Sequence, residues 1–220
     1  VESDGTVWFV GQRSDYAASF DPETRKFKYF DLGEGAGPHN LIVDPEGIVW
    51  FAGNRQGYIG RLDPADGKIT KVPMPNPAAR DPHTLVFDGN GDIWFTVQGG
   101  NFVGKLTMTD ESVQLVPVPT SGSRPYGIVI DKTDRPWIAL FGTNKLATVD
   151  PETMELRELE LPRKDARPRR IGITPDQKIW YVDYRGGFLG RFDQGSEEFK
   201  EWPMPSGTRS RPYGMAVDAD

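Results

Sequence analysis

A tryptophan returns on a fixed schedule along this chain, at Trp8, Trp50, Trp94, Trp137 and Trp180, with intervals of 42, 44, 43 and 43 residues. Each lies in the same phrase: Val7-Trp8-Phe9, Val49-Trp50-Phe51, Ile93-Trp94-Phe95, Pro136-Trp137-Ile138 and Ile179-Trp180-Tyr181. A repeat of this length is the signature of a propeller or a solenoid, because each unit must bury its apolar face against the next. The second unit shows the anatomy. Asn40 to Val43 reads as a short apolar strand and Asp44-Pro45-Glu46-Gly47 as a turn. Ile48 to Ala52, Tyr58 to Leu62 and Ile69 to Val72 read as three further strands. Four strands per unit predict one propeller blade.

Other positions keep the same register. Ten residues after each tryptophan stands a small residue (Ala18, Gly60, Gly104, Ala147, Gly190), and two further on a large apolar one (Phe20, Leu62, Leu106, Val149, Phe192). The residue after that is Asp21, Asp63, Thr107, Asp150 or Asp193, suited to start a turn. Prolines recur at Pro38, Pro82, Pro125, Pro168 and Pro212. The 19 prolines and the lack of a 3.6-residue apolar period exclude helical repeats. The expectation is a single all-β domain over residues 1–220, a β-propeller of four-stranded antiparallel blades. Val1 to Gly5 aligns on Val43 to Gly47, and Pro212 to Asp220 reads as a whole inner strand plus half of its turn. The same turn thus stands at both ends, which predicts about five blades of a six- or seven-bladed ring in a longer array. A closed five-bladed ring is the alternative.

A net charge of −6 and the absence of a basic stripe argue against a nucleic-acid surface. No apolar run is long enough to span a bilayer. Zero cysteines exclude disulfides and thiolate metal sites. The compartment leans towards the periplasm or the outside of a bacterial cell over the cytoplasm.

The residues around the repeated proline are the candidate site, because the inner strands enter the ring there. Before it stand Gly37, Asp81, Arg124, Arg167 and Arg211. After it stand His39, His83, Tyr126, Arg169 and Tyr213, with Arg170 following. On an extended backbone residues i and i+2 share a side, which predicts that Asp81 and His83 point together. Both histidines of the chain occupy one repeat position, as strand-start packing residues or as ligand-facing groups. Gathered guanidinium forks suit carboxylate or phosphate, and pairing with Asp165 or Asp183 is the plain alternative. The expected ligand-binding set is Arg124, Arg167, Arg169, Arg211, His39, His83, Tyr126 and Tyr213. The tryptophans are expected in the core between blades.

The phrases Gly37-Pro38-His39-Asn40-Leu41-Ile42-Val43-Asp44, Val49-Trp50-Phe51, Tyr58-Ile59-Gly60-Arg61-Leu62 and Val72-Pro73-Met74-Pro75 resemble the streptogramin B (virginiamycin B) lyase family. So do Asp81-Pro82-His83, Trp94-Phe95-Thr96 and Val103-Gly104-Lys105-Leu106, and the resemblance runs through every repeat. It implies a seven-bladed propeller and a magnesium-dependent elimination at an ester. That chemistry uses a Glu-x-His on one inner strand and a second Glu fourteen residues after the His. Carried onto this chain, the set is incomplete. His39 has Gly37 before it and Gly53 in the distal place; His83 has Asp81 but Val97; Asp183 fills the distal place while Arg169 replaces the histidine. His83, Asp81 and His39 are the catalytic candidates that remain, and no metal ligands are assigned. Three readings follow: a propeller that binds a small, anionic ligand at the channel mouth; a metal-dependent carbon–oxygen lyase completed by blades outside this chain; and a scaffold for another protein.

Overall fold

The computed structural model describes Glu2 and residues 4–218. Five antiparallel sheets follow one another along the chain. The first has three strands, β1 (Val7–Gly11), β2 (Tyr16–Asp21) and β3 (Lys26–Asp31). The second comprises β4 (Pro38–Val43), β5 (Val49–Gly53), β6 (Tyr58–Leu62) and β7 (Ile69–Pro73). The third comprises β8 (Pro82–Phe87), β9 (Ile93–Val97), β10 (Phe102–Thr107) and β11 (Ser112–Pro117). The fourth comprises β12 (Pro125–Ile130), β13 (Pro136–Leu140), β14 (Lys145–Val149) and β15 (Leu156–Glu160). The fifth comprises β16 (Pro168–Ile173), β17 (Ile179–Asp183), β18 (Phe188–Asp193) and β19 (Glu198–Pro203). Each pairs strand to neighbouring strand as a meander, so the blades expected from the repeat are the blades observed. The one helical element among the described residues is the 3₁₀ turn Gly207–Arg209.

The core lies between blades. Trp50, Ala52 and Ile59 of the second blade pack on Leu85, Ile93 and Phe95 of the third. Trp94 and Val103 of the third pack on Ile138, Leu140 and Val149 of the fourth, and Trp137 and Leu146 of the fourth on Ile179, Tyr181 and Phe192 of the fifth. Each blade thus presents a tryptophan face to the aromatic or branched face of its successor. The indole N–H cannot stay unpaired in that core. Asp44, Asp88 and Asp131 accept it from Trp50, Trp94 and Trp137 at 2.9, 3.0 and 2.9 Å, always six residues upstream. The other carboxylate oxygen takes turn amides, such as those of Glu46 and Ile48 on Asp44. Glu2 and Thr174 serve Trp8 and Trp180 in the same way at 3.2 Å. Turn and core are therefore locked by one side chain per blade.

The small residue ten after each tryptophan has its reason in the ladder. Phe51, Phe95 and Tyr181 lie directly opposite Gly60, Gly104 and Gly190. Their rings lie over the glycine, where a Cβ would fall inside the ring. In the fourth blade the smaller Ile138 faces Ala147. The first blade departs from this pattern, with Phe9 opposite Ala18.

The two ends differ from expectation. Residues 211–218 form no strand and do not pair with β1, whose described partner is β2. The closed five-bladed arrangement is therefore not formed by the described residues. Met215 and Val217 instead lie against Gly172 of β16. Val1, Ser3, Ala219 and Asp220, parts of the two matching turns, lie outside the described residues.

Candidate functional site

Each of the inner strands β4, β8, β12 and β16 slips its register just past the repeated proline. The slips fall between Pro38 and Leu41, Pro82 and Leu85, Pro125 and Ile128, and Pro168 and Arg170. Such a bulge turns successive side chains away from simple alternation. It corrects the expected pairing of Asp81 with His83. The Asp81 carboxylate turns to the backbone N–H groups of Gly99 and Gly100. His83 turns inward and is buried.

The residues that follow the repeated proline meet as a continuous arc. The His39 ring stacks on His83 with centroids 3.6 Å apart, and His83 lies 4.2 Å from the Tyr126 ring. His39 Nδ1–H donates to the His83 carbonyl at 3.1 Å, and His83 Nδ1 pairs with Thr84 Oγ1 at 2.9 Å. His39 thus hydrogen-bonds backbone from its strand start, and His83 the side chain of the neighbouring Thr84. Burial lowers the His39 pKa, helped by the charges of Arg170 and Arg169. Burial with the neighbouring His39, Arg170, Arg169 and Arg124 pushes His83 down to about 2, so it is neutral at pH 7.

Tyr126 continues the arc to Tyr213, the two hydroxyls 2.9 Å apart, and Arg169 Nη2 donates to Tyr126 Oη at 3.1 Å. The Arg169 guanidinium is caged by rings: 3.9 Å from Tyr213, 4.8 Å from Tyr126 and Phe141, and 4.9 Å from Tyr184. Its Nε is buried without a partner. Arg170 lies 5.1 Å above Tyr126. Arg169 therefore ties the mouth together instead of standing free in it.

The guanidiniums without a carboxylate partner among the described residues lie beside this cage, that of Arg167 donating to the Ala166 carbonyl. Arg167 and Arg211 line a cleft of about 780 Å³ with Arg185 and Arg209, floored by Phe141 and Tyr184, and no carboxylate among the described residues lines it. Arg124 stands 5.9 Å from the Phe141 ring. The alternative, side-chain pairing of these arginines with Asp165 or Asp183, does not occur among the described residues. Arg163 takes the Asp183 carboxylate together with Glu201, and the other Asp183 oxygen accepts the N–H groups of Arg167, Arg185 and Gly186. Among the described residues none of Arg124, Arg167, Arg185, Arg209 and Arg211 has an ion-pair partner within 4.0 Å. Arg124 and Arg211 also hold left-handed backbone, φ 52° and 38°, where the second blade uses Gly37 at φ 54°. Such a conformation costs a side-chain-bearing residue about 1 kcal/mol or more.

Arg185 and Arg209 were not among the sequence candidates. Arg185 had a signal: the fifth residue after the tryptophan is arginine in three blades, Arg13, Arg55 and Arg185. A larger cleft of about 1310 Å³ lies at the opposite end, beside the turns after the inner strands. Its Asp44 and Asp88 already serve the tryptophans and turn amides, so it is explained by the fold. No cluster of three metal-ligating side chains occurs among the described residues. The magnesium set implied by the resemblance does not fit either, because Asp81 and Asp183 are both committed to backbone amides.

Blade, lock and mouth together define the class: an all-β propeller of four-stranded blades with its polar constellation gathered at one end of the channel. The sequence profile of the Virginiamycin B lyase family matches residues 1–220, and the chain belongs to that family. A streptogramin B lyase structure is 31% identical, with a TM-score of 0.84 over 93% of this chain and 67% of that one. Virginiamycin B lyase from Staphylococcus aureus is 27% identical, with a TM-score of 0.87 over 97% and 71%. A catalytically inactive form of the Staphylococcus aureus enzyme with quinupristin gives 25%, 0.84, 93% and 68%. Among curated protein sequences none matches.

Proposed function

We propose that this propeller binds a small, carboxylate-bearing ligand at the channel mouth. The observation that carries the reading is the cleft with four guanidiniums, two aromatic rings and no counter-charge among the described residues. Like charges gathered without acidic partners repel one another, and a bound anion is what would offset that cost. The planar fork of arginine fits a carboxylate bidentately. Arg124, Arg167 and Arg211 form the expected anion contacts, with Arg185 and Arg209 added by the cleft. His39, His83, Tyr126, Tyr213 and Arg169 form the adjoining arc, which meets the cleft where Arg169 lies against Phe141 and Tyr184.

Calorimetry with citrate at low salt tests this. The double variant Arg167→Ala with Arg211→Ala should weaken binding at least tenfold, as removal of charge-assisted hydrogen bonds predicts. Equal or absent binding in both proteins would leave the arginines as solvated surface. Arg124→Gly separates binding from folding. It should weaken citrate while leaving the melting temperature unchanged or higher, because glycine relieves the left-handed strain.

The second reading is a carbon–oxygen lyase, favoured by the family to which the chain belongs. The histidine–carboxylate set which that chemistry uses is not assembled by the described residues, so blades outside this chain would have to complete it.

A further inference from the structure

The first residue after the second strand of each blade changes character along the chain. In the first three blades it is an amide, Gln12, Asn54 and Gln98, and in the last two an aromatic residue, Phe141 and Tyr184. In the second blade the amide serves the fold, for Asn54 Nδ2 donates to the Pro82 carbonyl of the next blade at 2.9 Å. An aromatic ring brings no amide donor, so this bond is not what Phe141 and Tyr184 supply. The change falls in the blades where the arginines gather. The Phe141 backbone N–H donates to the Arg124 carbonyl at 3.2 Å, and that of Tyr184 to the Arg167 carbonyl at 3.1 Å. Each ring is thereby hung beside an arginine of the repeated slot.

The two rings are half-buried and meet edge to face, centroids 5.9 Å apart and planes at 77°, which makes a corner in the floor of the arginine cleft. Arg169 lies against both rings but does not line the cleft, so caging it does not use the surface they show the cleft. Thr208 adds a hydroxyl to the same lining.

We propose that the ligand of this cleft is an aromatic dicarboxylate, its ring laid in the Phe141–Tyr184 corner and its carboxylates taken by the arginines, an inference that rests on the anion-binding reading above. A flat ring can stack on one wall of the corner and offer its edge to the other, the two arrangements that aromatic pairs prefer. A guanidinium fork takes a carboxylate through two parallel N–H···O bonds, so the forks of Arg167, Arg185, Arg209 and Arg211 suffice for both carboxylates. The cleft volume of about 780 Å³ falls within the range usual for small-molecule sites. An aliphatic acid such as citrate engages the guanidiniums alone, whereas an aromatic one engages both halves of the lining.

Calorimetry at low salt and neutral pH compares isophthalate, cis-cyclohexane-1,3-dicarboxylate and citrate. The first two carry the same charge, and the saturated ring is the more apolar of the pair. Plain burial would therefore favour the saturated acid, and contact with the aromatic corner favours isophthalate. Wild type should bind isophthalate about tenfold more tightly than the saturated acid, the size of one good aromatic contact. Phe141→Leu and Tyr184→Leu each keep apolar bulk and remove one ring, and each should bring that ratio to within about threefold. The wild-type comparison stands even where a variant fails to fold, which its melting curve would show. Equal affinity of wild type for isophthalate and the saturated acid overturns the aromatic class, as does a ratio kept in both variants; citrate binding then leaves the anion site standing. Failure of wild type to bind any of the three acids overturns both.

Discussion

Taking this protein from pH 7.5 to pH 5 should cost about 2 kcal/mol of folding stability through His83 alone. The ring is 3% exposed, stacked between His39 and Tyr126, with its pKa pushed down to about 2. In the unfolded chain a histidine titrates near 6.5. The depressed native pKa means that the unfolded state binds the proton first. The contribution is therefore complete above the unfolded pKa and is lost progressively as pH falls from there towards the folded one. His39 is shifted in the same direction and steepens the loss. Urea unfolding of wild type and His83→Phe at the two pH values measures it. The variant keeps a ring in the stack but no titrating nitrogen, so its stability should fall clearly less on acidification. An equal fall would show that His83 is protonated in the native state, and the neutral histidine arc would have to be redrawn.

The blades were legible because each rests on a local pattern repeated five times. Tyr58 to Leu62 begins and ends as read, and Asp21, Asp150 and Asp193 cap their turns through amides two residues on. The segment after Pro212 reads equally well as an inner strand and is not one. Strand propensity is realised only with a ladder partner, and none of the described strands pairs with it. The site was legible in its positions and less so in its contacts. Repeat arithmetic placed His39, His83, Tyr126, Arg169 and Tyr213 together, and they touch in sequence around the mouth. Alternation failed for Asp81 because the bulge after Pro82 belongs to the ring mouth and not to the local sequence. Arg169 looked like its arginine neighbours, yet four rings from β12, from the loops after β13 and β17 and from the terminal segment close on it. Asp183 looked like a partner for Arg167. Arg163 reaches that carboxylate instead, and it occupies no repeated slot, so spacing could not have found it. Only the folded loop after β15 brings it to Asp183 and Glu201.

Gly104→Ala should destabilise the protein by about 2 kcal/mol, and adding Phe95→Ile should recover part of that loss. The sign is informative because alanine is normally the better residue in a strand, by roughly 0.5–1 kcal/mol over glycine. Gly104 has no left-handed backbone to protect, so that gain would appear if the site were open. It is closed: the Phe95 ring, fully buried against Trp50 of the preceding blade, occupies the space where the new methyl would stand. The ring cannot move away without disturbing that interface, since cores are packed as densely as organic crystals. The fourth blade shows the alternative solution, Ile138 opposite Ala147. Phe95→Ile alone removes buried apolar volume and should cost about 1–2 kcal/mol, in line with other large-to-small core changes. Together the two changes rebuild the fourth blade's pair inside the third, so their costs should fall short of additivity by about 1 kcal/mol. Urea unfolding of the two single variants and the double variant measures the coupling. Strict additivity would mean that the recurring small residue answers to backbone geometry and not to the ring opposite it.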